Sequence, residues 1–340
     1  MKKLNKNIKL VTRILFSIFI IGFILYGMRG DLSKVKVNVL STRWQYFSLA
    51  VFLYIIVSIL GSYRLHVLLM AHNIKVRFTN IVKNIYLGYL FNLFLLGSTG
   101  GDAIRSYYIA RETHKKTEII TLVFFDRIIG LTTMMCIALV SLMFNLDNPQ
   151  LRSLAITVII LFVGAVLFFV LILNKNIAMK IPAAKYLAQK LFFKNTITKI
   201  YETMNFMKNH KRKIAVAFFL ALVVQSIAIF TTYLVAFSMA NISCVPLRHF
   251  FLLMPVVYIG SALPVSIGGW GVYEMGFVFC FGLIGYAEEV SLSIGLMSHF
   301  LLVLLGAIGA VIYIMPGTRH IAAQAIAEGI EGIDEKDDLD

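Results

Sequence analysis

Charge is scarce in this chain. Only 14% of its 340 residues are charged, against about 25% in an ordinary soluble domain. Long polar stretches are scarce too. The longest covers about 40 residues, below the size of a typical domain. Hydrophobic residues make up 59% of the chain and the mean hydropathy is +0.83. A water-soluble fold of this length has too much surface to hide such an excess. That excludes a soluble enzyme, and it excludes a disordered chain. The alternation of apolar and polar residues that marks lipid-facing barrel strands is also missing, and long unbroken apolar runs take its place. A polytopic, all-α membrane protein remains, because helices satisfy their own backbone in lipid.

Reactive groups are equally sparse. There are three cysteines, Cys136, Cys244 and Cys280, each in or beside an apolar segment. They form no metal-ligand spacing and suggest no disulfide framework. No GxxxxGK loop, HExxH motif or suggestive Ser/Cys–His–acid spacing occurs. The sequence calls for no cofactor and no metal.

The charge that is present is lopsided, with 32 Lys and Arg against 17 Asp and Glu. On a soluble protein a surplus of +15 would suggest nucleic acid. On a membrane protein it reads as orientation, since basic loops stay in the cytoplasm. Seven of the acids fall in the last 13 residues, so residues 317–340 form an acidic tail. Without those 13 residues, 31 basic residues face 10 acidic ones. No nucleic-acid partner is expected.

A span needs about 20 apolar residues. Six stretches qualify: 8–28, 46–69, 119–144, 151–173, 214–240 and 290–315. The first follows a basic N-terminus and has no small-residue cleavage site after it, so it reads as an uncleaved anchor. Two further apolar stretches are broken. One, 81–97, runs into Ser98-Thr99-Gly100-Gly101-Asp102. The other, 249–263, runs into Pro264 and the glycines Gly268, Gly269 and Gly271.

Charge threads these pieces. Residues 175–213 carry ten Lys or Arg and one acid, which places them in the cytoplasm. Within 174–213, Ile197, Ile200, Met204 and Met207 recur at helical spacing among lysines. That pattern describes a basic amphipathic segment on an anionic lipid surface. Counting spans from there, both flanks of 81–116 lie inside and both flanks of 249–286 lie outside. Each broken stretch is then a re-entrant hairpin, the first turning at Gly100-Gly101 and the second at 264–271. The two would approach the middle of the membrane from opposite faces, as in an inverted-repeat transporter. Both termini lie inside. One loop opposes this threading: 29–43 carries Arg29, Lys34, Lys36 and Arg43, yet falls outside. Arg64, with Lys75 and Arg77, is counted as part of a cytoplasmic loop.

Ionisable residues at membrane depth are costly and mark cavities or partners. Asp102 is placed to cap the helix after Gly101. Arg105, one turn on, can add a bidentate contact to a phosphate held at that helix start. A plain cap and a plain anchor explain the two residues equally well. Asp126 and Arg127 lie about two turns into a span. Adjacent residues on a helix face apart, so the two need separate partners. Ion-pair locks between helices and substrate contact both fit them. Glu274, in the first turn after Gly271, is an isolated acid that needs a partner; Arg105, Arg127 or a cationic headgroup would serve, and a helix-capping Glu in an outer turn is the plainer alternative. His299 reads as a packed histidine, with a proton-linked role as the alternative.

Three motifs occur in order: Gly-Gly-Asp-x-x-Arg at 100–105, Asp-Arg-x-x-Gly at 126–130, and Pro-x-Ser-x-Gly-Gly-x-Gly-x-x-Glu at 264–274. Together they resemble the flippase-like membrane domain of the lysylphosphatidylglycerol synthase family, over about residues 10–316. The resemblance implies a lipid translocase domain of roughly eight membrane segments, some re-entrant, in the bacterial plasma membrane. It implies a membrane lipid as substrate. It places Asp102, Arg105, Asp126, Arg127 and Glu274 along the headgroup path, beside the breaks at Gly100, Gly101, Pro264, Gly268, Gly269 and Gly271. The soluble aminoacyl-transfer domain of the fused members has no counterpart here. Synthase activity and lysylphosphatidylglycerol as substrate are therefore not carried over. Two rivals stand beside this reading. One is a membrane-embedded transferase acting on a lipid carrier. The other is a non-transporting accessory subunit of an envelope lipid assembly complex. Further partners would be a second copy of the chain or an envelope-biosynthesis protein.

Overall fold

The structure, a computed structural model, describes residues 32–95, 100–113, 115–144, 210–242, 245–262 and 266–315, with a few isolated residues between. The expected spans at 8–28 and 151–173, most of the basic segment, the acidic tail and Pro264 lie outside the described residues. The described part is helical. Its elements are α1 (Leu32–Leu40), α2 (Trp44–Ala71), α3 (Phe78–Asn92), α4 (Gly100–Thr113), α5 (Lys116–Met143), α6 (Lys211–Ser238), α7 (Leu247–Ala262), α8 (Val272–Gly282) and α9 (Glu288–Ile314).

Four helices are long and apolar enough to cross a membrane: α2, α5, α6 and α9, with 27 or 28 residues each. At 1.5 Å per residue they run about 40 Å, enough for roughly 30 Å of hydrocarbon. They keep large apolar side chains on their outer faces, among them Phe52, Phe124, Phe219 and Val311. In water that would be a liability. In lipid it is the expected surface.

The antiparallel pair α2 and α6 is tied at both ends. At one end Thr42 and Met239 form an isolated bridge and Arg43 N–H donates to the Ser238 carbonyl at 2.7 Å. At the other, Lys213 Nζ donates to the Met70 carbonyl at 3.1 Å. These contacts define a Lys211 end and a Glu288 end of the bundle.

The two broken stretches form hairpins of short helices. α3 and α4 have 15 and 14 residues, about 22 Å each, too short to span. Their open end is closed by Asn80 Nδ2 donating to Glu112 Oε1 at 2.8 Å. α7 and α8, of 16 and 11 residues, open toward the Glu288 end, where Ser141 Oγ in the last turn of α5 donates to the Arg248 carbonyl at 3.1 Å. The hairpins thus enter from opposite ends and touch at their tips. Gly268 N–H donates to the Leu95 carbonyl at 2.9 Å. The order long helix, hairpin, long helix occurs twice, as α2–α5 and α6–α9, with opposite direction. This is the inverted arrangement that the charge pattern predicts.

The first turn differs from expectation. The chain reverses after Asn92, and Gly100 and Gly101 are already the first residues of α4. Gly101 is needed for approach rather than for turning: a Cβ there would overlap the Gly88 carbonyl of α3. In the second turn Gly268, Gly269 and Gly271 all have positive φ (63°, 79° and 82°), which only glycine adopts at little cost. The basic loop before α2 also finds its place. Lys34 pairs with Glu289 at 3.4 Å and Asn38 Nδ2 donates to Ser293 Oγ at 3.3 Å. That puts α1 against the start of α9, at the end opposite Lys211–Lys213.

Apolar cores pack toward both ends. Leu65, Leu69, Ile109, Ile119, Phe125 and Ala217 cluster toward the Lys211 end. Phe250, Phe277, Phe281 and Ile294 cluster toward the Glu288 end. A polar layer lies between them, where the hairpin tips meet.

Candidate functional site

Two buried polar centres flank the tips. The first is built on α2, α4 and α5. Asp126 is 2% exposed and accepts a bidentate fork from Arg64, Nε to Oδ1 at 2.6 Å and Nη2 to Oδ2 at 3.0 Å. Arg105 Nη2 lies 3.6 Å from Asp126 Oδ2 and 3.4 Å from Asp102 Oδ1. Arg127 Nε donates to Asp102 Oδ2. Asp126 and Arg127 therefore use different partners, as neighbours on a helix must. The centre holds three arginines against two aspartates, a surplus of one positive charge. Arg64 Nη1 and Arg105 Nε are buried with no hydrogen-bond partner.

Local sequence explains the geometry. Gly130, one turn beyond Asp126 in the Asp-Arg-x-x-Gly spacing, lines the cavity beside Arg64 and Gln225. Asp102 is not the cap of α4. Asn92 Oδ1 accepts from Gly101 N–H at 2.6 Å, which leaves the Asp102 carboxylate for Arg105 and Arg127.

The second centre is a Glu–His pair. Glu274 Oε2 accepts from Gly271 N–H at 2.7 Å, which caps α8. Its Oε1 lies 2.7 Å from His299 Nδ1 on α9. Both residues are buried, 3% and 2% exposed. The imidazole stacks on Trp270, centroids 3.8 Å apart, and meets the edge of Tyr273 at 5.4 Å. Glu274 therefore pairs with His299, not with Arg105 or Arg127. The packed histidine is the missing partner of the isolated acid.

Between the centres lies a cavity of about 340 Å³. Arg64, Asp102 and Arg127 line one side and His299, Gly268 and Gly269 another, with tyrosines Tyr54, Tyr89, Tyr258 and Tyr273 around it. A chamber of about 140 Å³ beside it reaches Arg105 and shares Arg64, Tyr89, Asn92 and Asp102. Of the sequence-derived residues, Asp102, Arg127, Gly268 and Gly269 line the larger cavity. Arg105 lines the smaller chamber. Asp126, Glu274 and Gly271 stand behind, held by the lining residues or holding them. Gly100 and Gly101 set the hairpin crossing. Pro264 lies outside the described residues. Among the described residues no three His, Cys, Asp or Glu side chains group as a metal ion requires.

Sequence reasoning missed Arg64. It is not in a loop but 21 residues into a 28-residue apolar helix, and it is 8% exposed. A charge at that depth is itself the signal. The tyrosines carried no signal, because only the packing of separate helices turns them inward.

Fold and site together define a helical membrane protein with half-membrane hairpins around a cavity that charged side chains border. Comparison with known sequences is consistent with this. The chain matches the lysylphosphatidylglycerol synthase TM region over residues 10–309, and it belongs to that family. It is also 24% identical over 337 residues to UPF0104 membrane protein MJ1595 of Methanocaldococcus jannaschii, covering 92% of this chain and 97% of the relative.

Proposed function

We propose that the protein is a lipid translocase. A phospholipid or lipid-linked headgroup would pass through the cavity between the hairpin tips while its acyl tails stay in lipid. The membrane would be the bacterial plasma membrane, with the Lys211 end in the cytoplasm.

One observation carries the reading. A centre with one surplus positive charge and two unpartnered guanidinium nitrogens borders an internal cavity in an otherwise apolar bundle. Glu274 balances that charge only from across the cavity, where Gly271 and His299 hold it, and a buried charge kept apart from its counter-charge is costly. It is retained where a mobile partner completes it. An anionic phosphate is such a partner, and arginine recognises it with a planar fork. Membership of a family named for a lipid-modifying enzyme's membrane region agrees with a lipid as the ligand.

The test is to purify the protein, identify co-purifying lipids by mass spectrometry, and follow their transbilayer movement in liposomes. Movement above that of protein-free liposomes is expected for at least one lipid. No acceleration for any lipid would sink the proposal. Arg105→Ala and Glu274→Ala should abolish transport while leaving membrane insertion intact. Normal transport by both variants would remove the cavity from the path.

A further inference from the structure

We infer that the Glu274–His299 pair is a proton-binding site whose occupation is coupled to a phosphodiester headgroup in the cavity. The inference rests on the headgroup reading above and supplies its driving ion.

Geometry assigns the hydrogen bonds of the pair. Gly271 N–H donates to Glu274 Oε2, so that oxygen is an acceptor. With the carboxylate ionised, His299 Nδ1–H donates to Oε1 across 2.7 Å. The remaining nitrogen, Nε2, then carries the free lone pair of a ring that lines the cavity. A proton arriving from cavity water binds there and makes an imidazolium. Its charge is already faced by the Glu274 carboxylate.

Charge balance supplies the coupling. Among the described residues, the charged groups facing the pair come from the first centre: Arg64 on α2, Asp102 and Arg105 on α4, and Asp126 and Arg127 on α5. The other titratable groups around the cavity are tyrosines on α2, α3, α7 and α8, which are neutral at physiological pH. α6 contributes the uncharged Gln225. On α1, Lys34 is held by Glu289 at the far end of α9, about 15 Å along the helix from His299. With His299 neutral, three arginines balance Asp102, Asp126 and Glu274, and the whole site sums to zero. A phosphodiester adds one negative charge. Protonation of His299 Nε2 returns the sum to zero. Arg64 Nη1, buried without a partner in a residue more than nine-tenths buried, is the donor left for the phosphate oxygen.

Linkage makes the effect reciprocal. If a bound phosphodiester favours the imidazolium, the imidazolium favours the phosphodiester by the same factor. A proton gradient would then load the headgroup on the acidic side and release it on the other. No covalent bond changes. One proton and one headgroup enter together and leave together.

The test uses the full chain in maltoside micelles, which contain no phosphate. Dihexanoylphosphatidylglycerol is the lipid probe and inorganic phosphate the free-anion probe. Calorimetry in buffers of different protonation enthalpy counts protons bound per probe. The expected wild-type count approaches one, and affinity should fall with rising pH by up to about tenfold per pH unit. His299→Gln should bind the probe with no proton uptake and little pH dependence. The wild-type count does not depend on that variant folding. Binding of the lipid probe with no proton uptake between pH 5 and 9 would overturn the coupling. So would full uptake by His299→Gln. Equal affinity for inorganic phosphate would overturn the lipid assignment. No binding of either probe would overturn the headgroup reading and this inference with it. In liposomes, lipid movement indifferent to an imposed pH gradient would refute the coupling but leave translocation standing. Proton-linked binding without movement would refute translocation alone.

Discussion

Removing Asp126 should hurt the protein far more than removing the arginine it holds. In the wild type, Asp126 takes two hydrogen bonds from Arg64 at 2.6 and 3.0 Å and faces Arg105 at 3.6 Å. Asp126→Ala leaves the buried Arg64 and Arg105 and the half-buried Arg127 with one aspartate, a surplus of two charges in place of one. Breaking a buried pair from one side costs about 3–5 kcal/mol. At 1.4 kcal/mol per factor of ten, the unfolding equilibrium shifts between about a hundredfold and a few thousandfold. Arg64→Leu is different. It leaves two arginines and two aspartates, and Asp126 keeps Arg105 as its neighbour. Both bonds of the fork are lost, but Arg105 still neutralises Asp126, so the cost should stay at about 1.5–3 kcal/mol, the range for a lost charged hydrogen bond. The double variant Arg64→Leu, Asp126→Ala should be more stable than Asp126→Ala alone. Unfolding in mixed micelles titrated with sodium dodecyl sulfate, followed by the fluorescence of Trp44 and Trp270, measures all three. The reasoning fails if Arg64→Leu proves as costly as Asp126→Ala, or if the double variant is the least stable. The stable Arg64→Leu variant should also lose lipid transport, because it removes the surplus charge and the free Nη1.

Two further outcomes follow from the tips and the ends. Gly268→Ala puts a Cβ in left-handed backbone 2.7 Å from the Leu93 carbonyl, so it should cost more than the roughly 1–2 kcal/mol of the φ alone. Gly61→Ala has open space around it and should gain up to about 1 kcal/mol as a helical glycine replaced; the same titration compares the two. In a background without native cysteines, Lys36→Cys and Arg212→Cys should label from opposite sides of the membrane. A cysteine placed in 145–150 should label from the Lys36 side. Labelling of Lys36→Cys and Arg212→Cys from one side would overturn the threading.

Much of the architecture was legible because lipid makes simple demands. A spanning helix must be apolar over its whole length, so α2, α5, α6 and α9 fall within a few residues of the stretches hydropathy marks. The basic residues at 211–213 fix which ends belong together, and that arithmetic is enough to predict hairpins entering from opposite ends. The basic loop at 29–43 still opposes the threading by charge; one of its lysines, Lys34, meets Glu289, 255 residues away, a pairing no segment shows by itself. The turn at Gly100-Gly101 was misread because a glycine pair signals a turn and a close helix crossing alike. Only the position of Gly88 on the neighbouring helix separates them.

By itself the sequence determined the class of solvent, the long helices, the hairpin ends and most of the buried charges. Those depend on properties carried by each segment: hydropathy, loop charge, glycine. Tertiary structure alone decided which charge meets which. Asp126 meets Arg64 from 62 residues away, and Glu274 meets His299 rather than an arginine. In lipid an ion must find a partner, but many partners satisfy that demand. The choice among them is made by the helix crossings, which set Arg64 of α2 against Asp126 of α5 and stack the His299 imidazole on Trp270.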